Sequence, residues 1–289
     1  MLLPRFEYHD PTELSEACRL MGELGDAARP LAGGTDLLVN MKKKIVTPSH
    51  LVSLGRIKAL HEMGAENGGV RLGAGLTAAE LAESEDIRTS YPAVADGASR
   101  LGSPLIRNLA TLAGNLVSAR PAADLPPPLM AYGARILLRS GSGERTLPLE
   151  DFFKGPGQTD AATDEILESV HLDEQPEASG AAYIKLGVRQ TLEISIVNVA
   201  AFIALENDTI ASARVVLGSV APMPIRAPSA EKVLLGEKPS EALFARAGEA
   251  AAADAKPIDD FRASAEYRRD MVQVLTQRML ETALQRARG

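Results

Sequence analysis

A single cysteine, Cys18, stands among the 289 residues. An internal disulfide framework is thereby excluded, and so is a cysteine-ligated iron–sulfur cluster or zinc site within this chain. Histidine is scarce too: His9, His50, His61 and His171 stand at no metal-ligand spacing, and each is read as a surface or hydrogen-bonded residue rather than a ligand. Basic charge is in deficit, with 31 Lys and Arg against 38 Asp and Glu and a net charge of −7, which argues against a nucleic-acid partner. No apolar run is long enough to span a bilayer, and MLLPRFEYHD lacks the basic start and apolar stretch of a signal peptide. The expectation is a cytoplasmic protein with no membrane span. Also missing are GxSxG, GxGxxG and GxxxxGK[ST], which counts against nucleophile-elbow, Rossmann and P-loop readings; the GAG at residues 73–75 is too short to count.

What is present is globular: 45% apolar and 24% charged residues, over a length that predicts two or three packed units. Three regions separate. In the first, residues 1–54, Asp10 reads as a helix N-cap, with Pro11 at the first helical position and Glu13 closing a capping box. Leu14, Ala17, Cys18, Met21 and Leu24 follow at helical spacing, which assigns Cys18 to the core. ARPLA then reads as a strand, GGTD as a turn, LLVNMKKK as a short helix and HLVSL as a second strand. Lys42, Lys43 and Lys44 sit where they complement the helix dipole in water.

The second region, residues 55–175, begins with a strand in GGVRLGAGLTAAELAES and a capping box at Thr77 and Glu80. YPAVADGASRLGS reads as a helix, and RILLRSGSGERTLPL as two strands about a Gly/Ser turn. Between them, SPLIRNLATLAGNLVSARPAADLPPPLMAYGA is dense in Gly, Pro, Asn and small residues, so least regular structure and most site chemistry are expected there. ADLPPP reads either as a Pro-rich linker or as Asp124 capping a helix through LMAYGA. The third region, residues 177–289, carries strands in AYIKLGVR, SIVNVAAFIAL and ASARVVLGSVA, with END as a hairpin turn, and then helices in SAEKVLLG, SEALFARAGEAAAAD and SAEYRRDMVQVLTQRMLETALQRAR. That combination makes an α+β unit.

PLAGGTDLL at residues 30–38 and TLAGN at residues 111–115 share one device, small residues and glycine at a turn. Both read as tight turns, since glycine adopts conformations denied to other residues. Both also read as places where backbone approaches a ligand. Glycine N–H groups at a strand-to-helix turn form a donor-rich rim suited to a diphosphate.

AGGTDLL, TLAGN with the later Asp124, AYIKLGVR, GSVAPMPIRA and SAEYRRDM occur in the order seen in the FAD-binding (medium) subunits of molybdenum hydroxylases, and over essentially its whole length the chain resembles that family. The flavoproteins of carbon monoxide dehydrogenase, bacterial xanthine dehydrogenase and hydroxybenzoyl-CoA reductase belong to it. The resemblance implies an α+β chain with a para-cresol-methylhydroxylase-type FAD-binding domain over residues 1–175, in subdomains of about 1–54 and 55–175, and a smaller C-terminal α+β domain over 177–289. Pro30, Leu31, Ala32, Gly33, Gly34, Thr35, Asp36 and Leu37 then match the first loop around the FAD diphosphate, and Thr111, Leu112, Ala113, Gly114 and Asn115 the second. Thr35, Thr111 and Asn115 would add side-chain hydrogen bonds. Asp124 matches a position on the adenosine–ribityl side of FAD, Leu101 and Leu167 match apolar contacts, and Lys185 matches a lysine near the flavin. The residue-level alternatives are a helix cap for Asp124 and a solvated strand residue for Lys185, while Tyr183 packs either near the ring or within the sheet.

The family segment Asp-Ile-Ala is here Glu193, Ile194 and Ser195, and the cysteine-bearing inserted loop of hydroxybenzoyl-CoA reductases is missing. The resemblance implies noncovalent FAD on this chain, with a molybdenum cofactor on a large partner subunit and iron–sulfur clusters on a small one. Electrons would pass from those clusters to FAD and on to an acceptor such as NAD. A self-contained FAD oxidase and a flavin-free assembly scaffold are the competing readings. Against the oxidase stands the lack of any general-base or substrate-pocket motif.

Overall fold

The structure is a computed structural model and describes residues 2–189 and 193–289. Elements are numbered in chain order. The N-terminal unit comprises β1 (Glu7–His9), α1 (Leu14–Leu24), β2 (Ala28–Leu31), α2 (Leu37–Lys42) and β3 (His50–Ser53). Its strands form a parallel sheet in the order β1-β3-β2, with both Glu7 and Ala28 in register with His50. The strand–helix–strand reading of residues 28–53 therefore holds, and β1 is an addition to it. α1 buries Ala17, Cys18 and Met21 as its spacing predicts. Its start corrects the sequence reading: the N-cap is Glu13, and no side chain caps it. Asp10 is drawn instead into an ion pair with Arg56 at 3.1 Å, and Pro11 is buried. Asp10 and Pro11 thus serve the exit from β1 rather than the entry to α1.

The central unit follows with β4 (Met63–Glu66), β5 (Gly69–Gly73), α3 (Ala78–Glu83), α4 (Glu85–Ser90), α5 (Pro92–Arg100), α6 (Pro104–Arg107), α7 (Leu112–Val117), α8 (Pro126–Ala131), β6 (Arg135–Ser140), β7 (Gly143–Pro148), α9 (Leu149–Phe152), β8 (Phe153–Gly155), β9 (Gln158–Thr159) and β10 (Ile166–Leu172). β4, β5, β10, β6 and β7, in that order, form an antiparallel sheet. The capping box at α3 is complete: the Thr77 amide donates to Glu80 Oε2 at 2.7 Å, and the Glu80 amide to Thr77 Oγ1 at 3.2 Å.

The stretch expected to be least regular instead holds three short helices, because each is given its own start. Ser103 and Thr111 cap α6 and α7 with their side chains, and proline opens α6. Pro126, Pro127 and Pro128 form the first turn of α8, where a missing N–H costs no helical hydrogen bond, and all are buried. The linker reading of ADLPPP is thereby excluded.

The C-terminal unit is an antiparallel sheet, β11 (Ser179–Leu186), β12 (Val197–Glu206), β13 (Thr209–Gly218) and β14 (Ile225–Arg226), followed by α10 (Pro228–Leu234), α11 (Glu241–Asp254) and α12 (Ala265–Ala287). Asn207 and Asp208 turn the β12–β13 hairpin with φ of 50° and 60°, the left-handed pair its twist favours. β12 is buried on both faces. Val197, Val199, Ala201 and Ile203 pack into a core with Phe244, Leu275 and Leu280 of the helices. Ala200, Phe202 and Ala204 join the core of the two preceding units, together with Ala181 and Tyr183 of β11. Strand alternation therefore sends Tyr183 toward the FAD-domain side. Among the described residues no helix is long and apolar enough to cross a membrane.

Candidate functional site

The first glycine turn lies where β2 gives way to α2. Pro30 and Leu31 are fixed in the sheet opposite Val52 and Ser53, and Ala32 to Asp36 make the turn. Gly34 sits at φ +71°, a conformation that L side chains rarely adopt. At Gly33 the constraint is spatial, since a Cβ there would overlap the carbonyl oxygen of Leu109. That contact presses the first turn against the backbone entering the second. Leu38 N donates to Gly34 O at 3.0 Å and Asn40 N to Asp36 O at 2.9 Å, and α2 departs. Among the described residues, none accepts a hydrogen bond from the backbone N–H groups of residues 33–37.

The second turn is built differently. Thr111 Oγ1 accepts from Gly114 N at 3.1 Å, so the hydroxyl expected to meet a ligand is already engaged as the cap of α7. Asn115 Oδ1 accepts from Leu125 N at 3.2 Å, fixing the approach to α8. Leu112 N and Ala113 N bond the carbonyls of Leu76 and Ala74 at 2.8 and 2.9 Å. Ala74 N in turn bonds Glu168 O at 2.9 Å, which ties the turn to β10 beside Leu167. A Cβ on Gly114 would meet only Thr111 Oγ1, at 3.0 Å. Ser118 Oγ donates to Asp36 Oδ2 at 3.2 Å and joins the two turns through side chains.

Asp124, Tyr183 and Lys185 form one buried group across the units. Lys185 Nζ lies 2.8 Å from Asp124 Oδ2, Tyr183 OH donates to Asp124 Oδ1 at 2.8 Å, and Lys185 also reaches Arg100 O at 3.3 Å. The Lys185 and Asp124 side chains are only 9% and 7% exposed. Burial raises the Asp124 pKa above the usual carboxylate value, opposed by the Lys185 ammonium and the tyrosine hydrogen bond. Burial and the facing carboxylate raise that of Tyr183. Two readings are corrected here. Asp124 is no helix cap, because α8 has Leu125 as its N-cap and both Asp124 oxygens are taken by the other unit. Nor is Lys185 a solvated strand residue, since Asp124 and the carbonyl of Arg100 hold it below the surface.

Leu101, at the C-cap of α5, and Leu167, in β10, are both buried in the core shared by the first two units. Asn198 was missed by the sequence reading. It pairs in register with Lys185, is fully buried, and donates from Nδ2 to Ala123 O at 3.3 Å beside Asp124. Its signal was visible as the one amide in the apolar run SIVNVAAFIAL. Ser118 and the Leu109–Ala110 backbone were missed as well, and no local pattern marks them. The site as a whole is two glycine turns held edge to edge, with donor-rich backbone on the first, and a buried carboxylate–ammonium pair bridging to the C-terminal sheet.

A fold of this kind, with its paired turns, defines a flavoprotein of the molybdopterin-dependent dehydrogenases. Residues 4–174 match the family model described as the FAD binding domain in molybdopterin dehydrogenase, and residues 181–283 match the CO dehydrogenase flavoprotein C-terminal domain. The carbon monoxide dehydrogenase medium chain of Hydrogenophaga pseudoflava is 32% identical over 98% of each chain. The xanthine dehydrogenase FAD-binding subunit of Escherichia coli is 31% identical over 98% of this chain and 97% of its own. Among solved structures, carbon monoxide dehydrogenase from Hydrogenophaga pseudoflava lacking the Mo-pyranopterin moiety superposes with a TM-score of 0.95 at 32% identity, covering 99% of both chains. Quinoline 2-oxidoreductase from Pseudomonas putida 86 gives 0.92 at 28% identity, also over 99% of both.

The chain belongs to the FAD-binding medium-subunit family of the molybdenum hydroxylases, and its cofactor is FAD. The α+β architecture expected from the resemblance is the one observed.

Proposed function

We propose that this chain is the electron-exit subunit of a cytoplasmic molybdenum hydroxylase complex, collecting electrons from iron–sulfur clusters on a small partner and delivering them to an acceptor such as NAD. Oxidation of the organic substrate then belongs to a large molybdenum-binding partner. FAD supplies the needed chemistry, because a flavin exchanges one or two electrons and so joins single-electron clusters to a two-electron acceptor.

The observation that carries this reading is the row of unpaired N–H groups over residues 33–37, pressed against the second turn at Gly33 and Leu109. Gly33, Gly34, Thr35, Asp36 and Leu37 would hold the diphosphate through those N–H groups, with Pro30, Leu31 and Ala32 leading the chain into the turn and the Thr35 hydroxyl able to add a hydrogen bond. Thr111, Leu112, Ala113, Gly114 and Asn115 would close the other side, Gly114 by leaving its face open and Asn115 by its Nδ2. Leu101 and Leu167 would supply apolar contact. Lys185 would offer its ammonium to the flavin while Asp124 holds it in place, and the pairing keeps either charge from lying buried alone. Tyr183 orients the carboxylate.

Native mass spectrometry of the protein purified from its own source tests the assembly. An iron–sulfur subunit and a larger molybdenum subunit are expected to travel with it, and the isolated chain is expected not to oxidise the substrate of the complex. A monomer that turns over an organic substrate unaided would establish the self-contained oxidase instead.

A further inference from the structure

The sequence separates His9 from His50 by 41 positions, which hides their relation. The parallel pairing of β1 with β3 removes that distance. Glu7 lies in register with His50, and His9, two residues on, projects from the same face of β1. Three ligand-bearing side chains thereby converge at the edge of the N-terminal sheet. His9 Nε2 is 3.0 Å from His50 Nδ1, Glu7 Oε1 is 4.0 Å from His9 Nε2, and Glu7 Oε2 is 3.6 Å from His50 Nδ1. The imidazoles are half-buried and the carboxylate is exposed, so one side of the group faces solvent.

A zinc-type ion bonded to imidazole nitrogen at about 2.0–2.1 Å in a tetrahedral site holds its ligand atoms roughly 3.3 Å apart. The separations observed here bracket that value. Two imidazoles facing nitrogen to nitrogen share one proton between them, and an ion replaces that proton with a bond to each ring. The donor set is two borderline nitrogens and one oxygen, which suits Zn²⁺ and neighbouring transition ions and does not suit Mg²⁺.

We propose that Glu7, His9 and His50 form a surface site for a divalent transition-metal ion, with water at the fourth position. The ion would cross-link the three-residue edge strand β1 to the central strand β3. The FAD-side turn follows β2, on the other side of β3, so the site acts on the frame of the N-terminal unit rather than on the flavin.

The test uses the full chain with FAD bound, freed of metal by a chelator and titrated calorimetrically with zinc chloride, with magnesium chloride as the control. One zinc per chain is expected. Binding should weaken at least tenfold in His9→Ala and in His50→Ala, weaken in Glu7→Gln, and stay unchanged in His171→Ala, which removes a histidine outside the group. Zinc should raise the unfolding temperature of the wild type by about 2 °C or more and leave His9→Ala/His50→Ala unmoved. Cobalt(II) in place of zinc should give the visible bands of a tetrahedral site. Retained FAD absorbance in each variant shows that the fold has survived, and the exposed Glu7→Gln serves where an alanine variant does not fold. Absence of zinc binding at sub-millimolar concentration, or stoichiometric zinc retained by His9→Ala/His50→Ala, would overturn the proposal.

Discussion

Substitution at Gly114 separates ligand approach from protein stability. In Gly114→Ala the new Cβ meets only Thr111 Oγ1, at 3.0 Å. Alanine in place of glycine within a helix gains up to about 1 kcal/mol. Displacing the Thr111 hydroxyl from its capping bond costs about 1 kcal/mol. The two nearly cancel, so the flavin-free variant should unfold within about 2–4 °C of the wild type. The ligand side has no such compensation, because in the proposed cradle the methyl group would occupy the space through which FAD approaches the backbone. A loss of at least about 1.4 kcal/mol, tenfold in Kd, is expected for Gly114→Ala and a larger one for Gly114→Val. Titrating FAD into deflavinated protein by fluorescence quenching, beside thermal unfolding of the same samples, reads both terms. Unchanged FAD affinity in both variants would refute the two-turn cradle. A collapse in stability without bound flavin would show that Gly114 is structural.

Gly33→Ala should behave in the opposite way, losing FAD and flavin-free stability together, because its Cβ overlaps Leu109 O; a normal unfolding temperature would contradict that contact. Asp124→Asn and Lys185→Met should each cost about 3–5 kcal/mol in chemical denaturation by leaving a buried partner uncompensated, and the double variant should cost less than their sum. Lys185→Met should also lower the midpoint potential of bound FAD in a potentiometric titration, since the proposed placement puts this cation beside the ring; an unchanged potential would leave Lys185 as the partner of Asp124 alone. Arg262 and Arg268 hold the Asp260 carboxyl below the usual carboxylate range. A depressed pKa contributes stability above the unfolded value near 4, and that contribution is lost as pH falls through the folded value. Asp260→Asn should therefore be less stable than wild type at neutral pH, with the gap closing under acid; a gap independent of pH would count against the pairing.

Elements carried by short-range signals were legible in the sequence. The Thr77–Glu80 box, the END turn, the spacing that buries Cys18 and the strand–turn–helix around Gly34 each depend on residues within a few positions. What escaped depends on distant partners. β1 is three residues long and exists through its pairing with β3. Asp10 has the composition of a cap and is claimed by Arg56. Asp124 likewise looks like a cap, and its partners, Tyr183 and Lys185, lie on a strand of another unit. In the site, the glycines were visible because backbone conformation is written locally. The engagement of Thr111 and Asn115 was not, because whether a polar side chain is free for a ligand depends on what the fold has already given it.

The electron-exit role is tested most directly by removing FAD from the intact complex and following electrons from the substrate side. With FAD absent, substrate should still reduce the iron–sulfur clusters, seen by their bleaching, while reduction of the physiological acceptor stops and returns when FAD is added back. Acceptor reduction at full rate without FAD would show that electrons leave by another route and would contradict the role proposed for this chain.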